Sequence, residues 1–251
     1  MKPEGKTPLR VPLSPLDPDA ALWPLTEEAR HYIVDVRRLK AGDPLRVFDA
    51  SGLEAPATLV VHDGIWSAEA TGPLVQGHGG ADLTVCYGLP KGEKLDAVLR
   101  QLTELGVGRV VLMQTAHSVV RLDAQRAAKK HARWSRIVQE AARQCGRADA
   151  LHIEGPVPFE EALVRTREIP WRGILHPTVE GEAWSSLTHG GALFIGPEGG
   201  FSTQEVDAAL ADGVTPIHLG PLVLRTETAA VVGAALALDR MGALGRPRAP
   251  V

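Results

Sequence analysis

Arg225, Thr226 and Glu227 stand where a strand-like Leu222-Val223-Leu224 meets a helical pattern beginning near Thr228. A helix amino terminus carries partial positive charge, so it welcomes Glu227 and gains nothing from a cation. The helix start therefore gives no structural reason for the Arg225 guanidinium, which makes it a candidate functional residue. Thr226 or Thr228 fits equally well as a plain helix cap. A second stretch, residues 193–202, reads Leu-Phe-Ile-Gly-Pro-Glu-Gly-Gly-Phe-Ser. An apolar run that stops at Gly196-Pro197-Glu198-Gly199-Gly200 predicts a buried strand followed by a sharp turn. Open α/β sheets bind ligands at that end of a strand. The next four residues, Ser202-Thr203-Gln204-Glu205, match a capping box, which makes Ser202 and Glu205 structural.

Other chemistries lack their residues. The chain has no GxSxG elbow, Walker phosphate loop, HExxH or GxGxxG. Nine histidines are scattered without ligand spacing, so no metal is expected. Charge is more telling. The chain carries −3 overall, yet residues 121–147 hold eight Lys/Arg against Asp123 and Glu140, a local +6. Such a run is either a solvated helix face or the footprint of phosphate contacts. Aromatic residues are only 4% of the chain and form no stacking stripe, which favours a folded nucleic acid over a single strand.

The elements that must position these groups fall into two styles. Residues 1–72 show short apolar runs separated by Gly42-Asp43-Pro44, Ser51-Gly52 and His62-Asp63-Gly64, which predicts a small β-rich domain of barrel type. One helix, Thr26 to Lys40, interrupts it. Residues 73–80, rich in glycine and proline, read as a linker. From 81 to 251 strands and helices alternate: a strand at Leu83–Leu89, a helix at Lys94–Leu105 with Leu95, Val98, Leu99 and Leu102 on one face, a strand at Arg109–Met113 and a long helix from Asp123 to Cys145. That alternation predicts a mostly parallel sheet covered on both faces.

With 251 residues, 44% of them hydrophobic and 23% charged, the chain can bury a substantial core. Two cysteines make no disulfide framework, the residues after Met1 lack the apolar core of a signal peptide, and no run is long enough to span a bilayer. Together these predict a cytoplasmic protein without a membrane partner.

The motifs resemble the SPOUT methyltransferase superfamily and, within it, the RNA small-subunit methyltransferase E family. The resemblance runs along nearly the whole chain: Val36-Arg37-Arg38-Leu39, Thr103-Glu104-Leu105-Gly106-Val107, Ser118 with Arg121, Glu140-Ala141-Ala142-Arg143-Gln144-Cys145-Gly146-Arg147, Gly196-Pro197-Glu198-Gly199-Gly200 and Leu224-Arg225-Thr226-Glu227-Thr228-Ala229. The last two segments form the specific pairing. Where the family pattern has lysine and arginine, this chain has Gln101 and His117.

The resemblance implies an α/β fold: a carboxy-terminal SPOUT-type parallel sheet with a trefoil knot, and a small amino-terminal PUA-like β-barrel. It implies a homodimer that methylates uridine N3 in 16S ribosomal RNA of the small ribosomal subunit. It implies S-adenosyl-L-methionine held by Leu175, His176, Pro177, Ile195, Gly196, Pro197, Glu198, Gly199, Gly200, Leu219, Gly220, Leu224, Thr226, Thr228 and Ala229. Arg225 is then the catalytic cation, with Glu227 orienting it. Arg37, Arg38, Arg46, Arg121, Arg126, Arg133, Arg136, Arg143 and Arg147 are the expected RNA contacts. A SPOUT enzyme with another target, a non-catalytic RNA-binding protein and a small-molecule α/β enzyme are the rival readings.

Overall fold

A computed structural model describes residues 8–13, 15–49, 52–92, 94–118, 124–177, 184, 187 and 190–245. The chain divides into two compact units, Met1–Gly79 with Ala142–Ala150, and Gly80–Ala141 with Leu151–Val251. In the first unit β1 (Leu9–Pro12), β2 (Leu22–Pro24), β3 (Pro44–Phe48), β4 (Leu53–His62) and β5 (Ile65–Ala70) form one sheet in the order β1-β3-β4-β5-β2. Only the β1–β3 pair is parallel; the other pairs are antiparallel. Alternation along β4 turns Ala55, Ala57 and Leu59 inward, where they pack with Leu45, Val47 and Ala68. The expected linker is not featureless, since β6 (Val75–Gln76) pairs with the start of β4.

Thr26 caps α1 (Glu27–Arg30), its hydroxyl accepting from the Ala29 amide at 3.2 Å, and the helix continues in wider π-type turns through His31–Val36. It stops short of the expected Lys40. Arg38 adopts a left-handed conformation (φ 59°), and the Leu39 amide returns to the Ile33 carbonyl. That backbone geometry cannot continue a right-handed helix.

The second unit holds β7 (Ala81–Gly88), α2 (Lys94–Leu105), β8 (Val107–Gln114), α3 (Ala124–Cys145), β9 (His152–Pro158), α4 (Phe159–Arg165), β10 (Trp171–Leu175), β11 (Gly191–Ile195), α5 (Thr203–Ala211), β12 (Thr215–Ile217) and α6 (Thr226–Arg240). Its sheet runs β12-β10-β11-β7-β8-β9 with every pair parallel. Successive residues of a strand face opposite sides, and the apolar runs therefore feed two cores. Val85, Tyr87, Val110, Leu112, Leu193 and Ile195 pack under α2, α3 and α6. Cys86, Val111, Met113, Ala192 and Phe194 pack under α4 and α5. The residues expected on the buried face of α2, namely Leu95, Val98, Leu99 and Leu102, are buried there.

In this second sheet one strand escaped the sequence reading, as β1, β2 and β6 did in the first. β9 reads His-Ile-Glu-Gly-Pro-Val-Pro, a poor strand pattern, but it lies at the sheet edge, where glycine and proline are tolerated. Among the described residues no helix is long and apolar enough to cross a membrane.

Candidate functional site

Three parallel strands, β10, β11 and β12, end side by side, and the chain leaving each forms part of one cavity of about 480 Å³. Leu175, His176 and Pro177 follow β10. Ile195 closes β11, and Gly196, Pro197, Glu198, Gly199 and Gly200 form the turn after it. Ile217 ends β12, the segment from His218 through Leu224 follows it, and Arg225 at the cap of α6 with Thr226, Glu227 and Ala229 in its first turn complete the lining.

Two glycines set the turn's shape. A β-carbon on Gly88, at the end of β7, would meet the Pro197 ring at 2.6 Å, so only glycine lets the turn lie against the sheet. Gly200 takes φ +68°, which reverses the chain before Phe201 enters the core. Beyond it the capping box forms as expected. The Ser202 hydroxyl accepts from the Glu205 amide at 3.3 Å, and Glu205 accepts from the Ser202 amide at 2.8 Å. The second Glu205 oxygen accepts from the Ala116 amide at 2.8 Å, which ties α5 to the end of β8. His117 adds a ring-nitrogen hydrogen bond to the Gly199 carbonyl at 2.9 Å.

Every residue expected to hold the cofactor lines this cavity except Thr228, which is exposed. Thr226 and Thr228 are two residues apart on a helix, so they cannot share a face. Neither caps α6: its cap position is Arg225, which makes no side-chain cap bond. Thr226 instead donates its hydroxyl to the Gly196 carbonyl at 2.6 Å and sits 3.4 Å from the Tyr87 hydroxyl. That contact joins the start of α6 to the turn after β11. Tyr87 is fully buried beneath it, and burial pushes its phenol far above the ordinary range.

The electrostatics correct one expectation. Glu227 does not pair with Arg225; its carboxylate meets the Lys94 ammonium at 3.3 Å, and Glu198 meets the same ammonium at 3.2 Å. Burial pushes the Glu198 carboxyl up, but its hydrogen bonds to backbone amides and to Lys94 outweigh that and leave it below the ordinary value. Lys94 is pushed up, first by its bond to Glu198 and then by Glu227. The Arg225 guanidinium is exposed at the cavity and makes no hydrogen bond or ion pair among the described residues. His176 is pushed below the ordinary histidine value by burial and then by the charge of His218, and both line the cavity. Sequence reasoning missed Lys94, Ile217, His218, Pro221, Leu222 and Val223. For Lys94 a signal existed, since a cation in the first turn of a helix opposes the helix dipole.

The expected RNA contacts separate into two kinds. Arg37 and Arg38 are exposed. Arg46 is not available in the same way, because it pairs with Glu54 at 2.9 Å while Arg10 pairs with the other Glu54 oxygen at 2.6 Å, all three side chains being nearly buried. Arg147 is buried too, its guanidinium on Asp149. Arg46 compensates a nearly buried carboxylate and Arg147 is itself buried, so neither guanidinium is exposed as those of Arg37 and Arg38 are. Arg126, Lys129, Arg133 and Arg136 are exposed and recur at three- and four-residue spacing, one stripe opposite the buried Trp134 and Val138. Arg133 in that stripe reaches Asp96. Arg143 is exposed as well, and Arg121 lies outside the described residues.

Comparison with known proteins adds independent findings. Residues 79–238 match the model of an RNA methyltransferase domain, and residues 25–63 match an RNA methyltransferase PUA domain. A ribosomal RNA small subunit methyltransferase E from Bacillus subtilis is 34% identical across 84% of this chain and 87% of its own. Its namesake from Mycobacterium tuberculosis is 31% identical across 85% and 83%. Among solved structures, a methyltransferase from Legionella pneumophila with bound S-adenosylmethionine is 28% identical, covers 93% of this chain and 98% of its own, and superposes with TM-score 0.80. A ribosomal RNA small subunit methyltransferase E from Neisseria gonorrhoeae shares the fold, with TM-score 0.79 at 24% identity over 93% and 98% of the two chains.

Proposed function

The chain belongs to the ribosomal RNA small subunit methyltransferase E family, and from that premise we propose that it uses S-adenosyl-L-methionine to methylate N3 of a uridine in 16S ribosomal RNA. The observation that carries the reading is the cavity itself: apolar walls, carboxylates and a guanidinium on a frame of close-packed backbone. Its volume falls within the range of about 300–1,000 Å³ usual for small-molecule sites. Leu175, Ile195, Leu219, Leu224 and Ala229 offer an apolar slot for a purine, while the backbone of Gly196 to Gly200 offers hydrogen-bonding groups at close range. Glu198 and Glu227 together exceed the Lys94 ammonium by one negative charge, which suits a cationic donor.

When bound, S-adenosylmethionine supplies an already activated methyl on sulfonium. The protein's share is to position the acceptor and to favour loss of the weakly acidic N3 proton. Arg225, a guanidinium at the cavity, supplies positive charge for the anion that develops on the base.

The same reading assigns residues 1–72 to a PUA-like barrel, 73–80 to a linker and 81–251 to the SPOUT domain. It includes a trefoil knot. Supporting it, the Trp184 indole donates to the His218 carbonyl at 2.9 Å and the Leu187 amide donates to the Arg240 carbonyl, so chain between β10 and β11 lies against the path into and out of α6. A cytoplasmic homodimer acting on the small ribosomal subunit completes it.

Two measurements test the reading: titration calorimetry with S-adenosylmethionine, and mass mapping of modified uridines in small-subunit RNA with and without the protein. Cofactor binding together with a uridine N3-methyl that depends on the protein supports it. A protein that binds no cofactor, or that methylates another base, overturns it.

A further inference from the structure

Lys94 is the first residue of α2, and a cation there opposes the helix dipole. What holds it lies elsewhere in the chain. Its ammonium reaches Glu198 in the turn after β11 at 3.2 Å and Glu227 in the first turn of α6 at 3.3 Å. The Lys91 amide donates to both Glu198 oxygens, at 3.2 and 3.3 Å, so the chain around 91–94 grips that carboxylate twice. All three charged groups line the cavity. With Lys94 removed, two carboxylates held within reach of one ammonium would face each other, and like charges at that separation repel.

We propose that Lys94 is a positioning residue: it clamps the Glu198 turn to the Glu227 turn and so holds the two walls of the cofactor cavity together. The clamp rests on the reading of that cavity as the S-adenosylmethionine site. Isolated pairs of half-exposed charges add little to stability, so the clamp's effect is on geometry rather than on folding. It supplements the Thr226 contact to Gly196, which joins the same two segments from the buried side.

Lys94→Gln and Lys94→Arg in the full chain test the clamp. Hydrogen exchange on the free protein comes first, because it does not depend on any ligand. With Lys94→Gln, peptides covering 196–200 and 225–229 exchange faster, while the rest of the second unit and the melting temperature stay near wild type. Lys94→Arg, which can still bridge two carboxylates, keeps the wild-type pattern. Calorimetry follows. Lys94→Gln weakens S-adenosylmethionine on the order of tenfold, within the span usual for coupling between sites. Adding Glu227→Gln to it costs less than the sum of the two single changes, because both remove one contact.

Unchanged exchange in both segments overturns the clamp, whatever the cavity binds. Strictly additive losses overturn it as well. If the wild-type protein binds no S-adenosylmethionine while Lys94→Gln still shows the exchange changes, the clamp is supported and the cavity's assignment is overturned instead.

Discussion

At the residue scale the two cations of the cavity do different work. Lys94 is saturated by two carboxylates, whereas Arg225 presents its guanidinium without a partner among the described residues. Charge that is already compensated cannot be offered to a reacting base, so Arg225 is the residue placed to stabilise an anion. Arg225→Ala is expected to lower turnover by about 100- to 1,000-fold, the loss typical of removing one oxyanion-stabilising donor. Cofactor affinity should change much less. Glu227→Gln, which acts through Lys94, should weaken the cofactor more than it slows the step. Full methylation of small subunits by Arg225→Ala, read by single-turnover radiolabel transfer, would reverse these roles. Arg225 was legible from sequence because its position conflicts with the helix dipole. The Glu227–Lys94 pair was not, because nothing in the local pattern links residue 94 to residue 227.

At the element scale the turn after β11 is built to be stiff. It leaves a strand buried on both faces, passes a glycine that admits Pro197 at the sheet, and ends in a capping box. Glu205 does more than a cap requires, since it is buried and also holds the Ala116 amide. Ser202→Ala is therefore expected to cost about 1 kcal/mol, the ordinary value of a lost cap. Glu205→Ala should cost more, roughly 2–3 kcal/mol, because it strands two backbone amides at once. Urea unfolding checks the ranking, and equal losses would show that the Ala116 bond contributes nothing. The box itself was visible in Ser202-Thr203-Gln204-Glu205, whereas its reach to β8 was not. Caps are decided by neighbours within one helical turn. The contact to Ala116 spans 89 residues of sequence.

At the scale of the whole molecule, charge is segregated. The chain is acidic overall, and the basic stripe of α3 stands out against that background. Lys129 and Arg136 sit two helical turns apart on one exposed face, and neither shares the ion pair that occupies Arg133. Lys129→Glu with Arg136→Glu should weaken RNA binding and flatten its salt dependence, lowering the log–log slope by about 1.5–2 if each contacts a phosphate. Cofactor affinity should be untouched. Equal loss of RNA and cofactor binding in the same variant would point to misfolding instead.

The sequence by itself determined the parallel α/β unit, the buried face of α2, the capping box and the segments that surround the cavity. The first three depend on period, turn chemistry and contacts a few residues apart, whereas the cavity segments came from the family resemblance. Only the tertiary structure decided which charges are compensated. It paired Arg46 with the nearly buried Glu54, buried Arg147 beside Asp149, turned Thr228 away from the cavity, and brought Lys94 between Glu198 and Glu227. It also made a strand of the glycine- and proline-bearing 152–158, because a sheet edge accepted it. The physical reason is shared: burial and ion pairing belong to groups far apart in sequence, and one residue's neighbourhood in the chain carries no record of which distant partner will reach it.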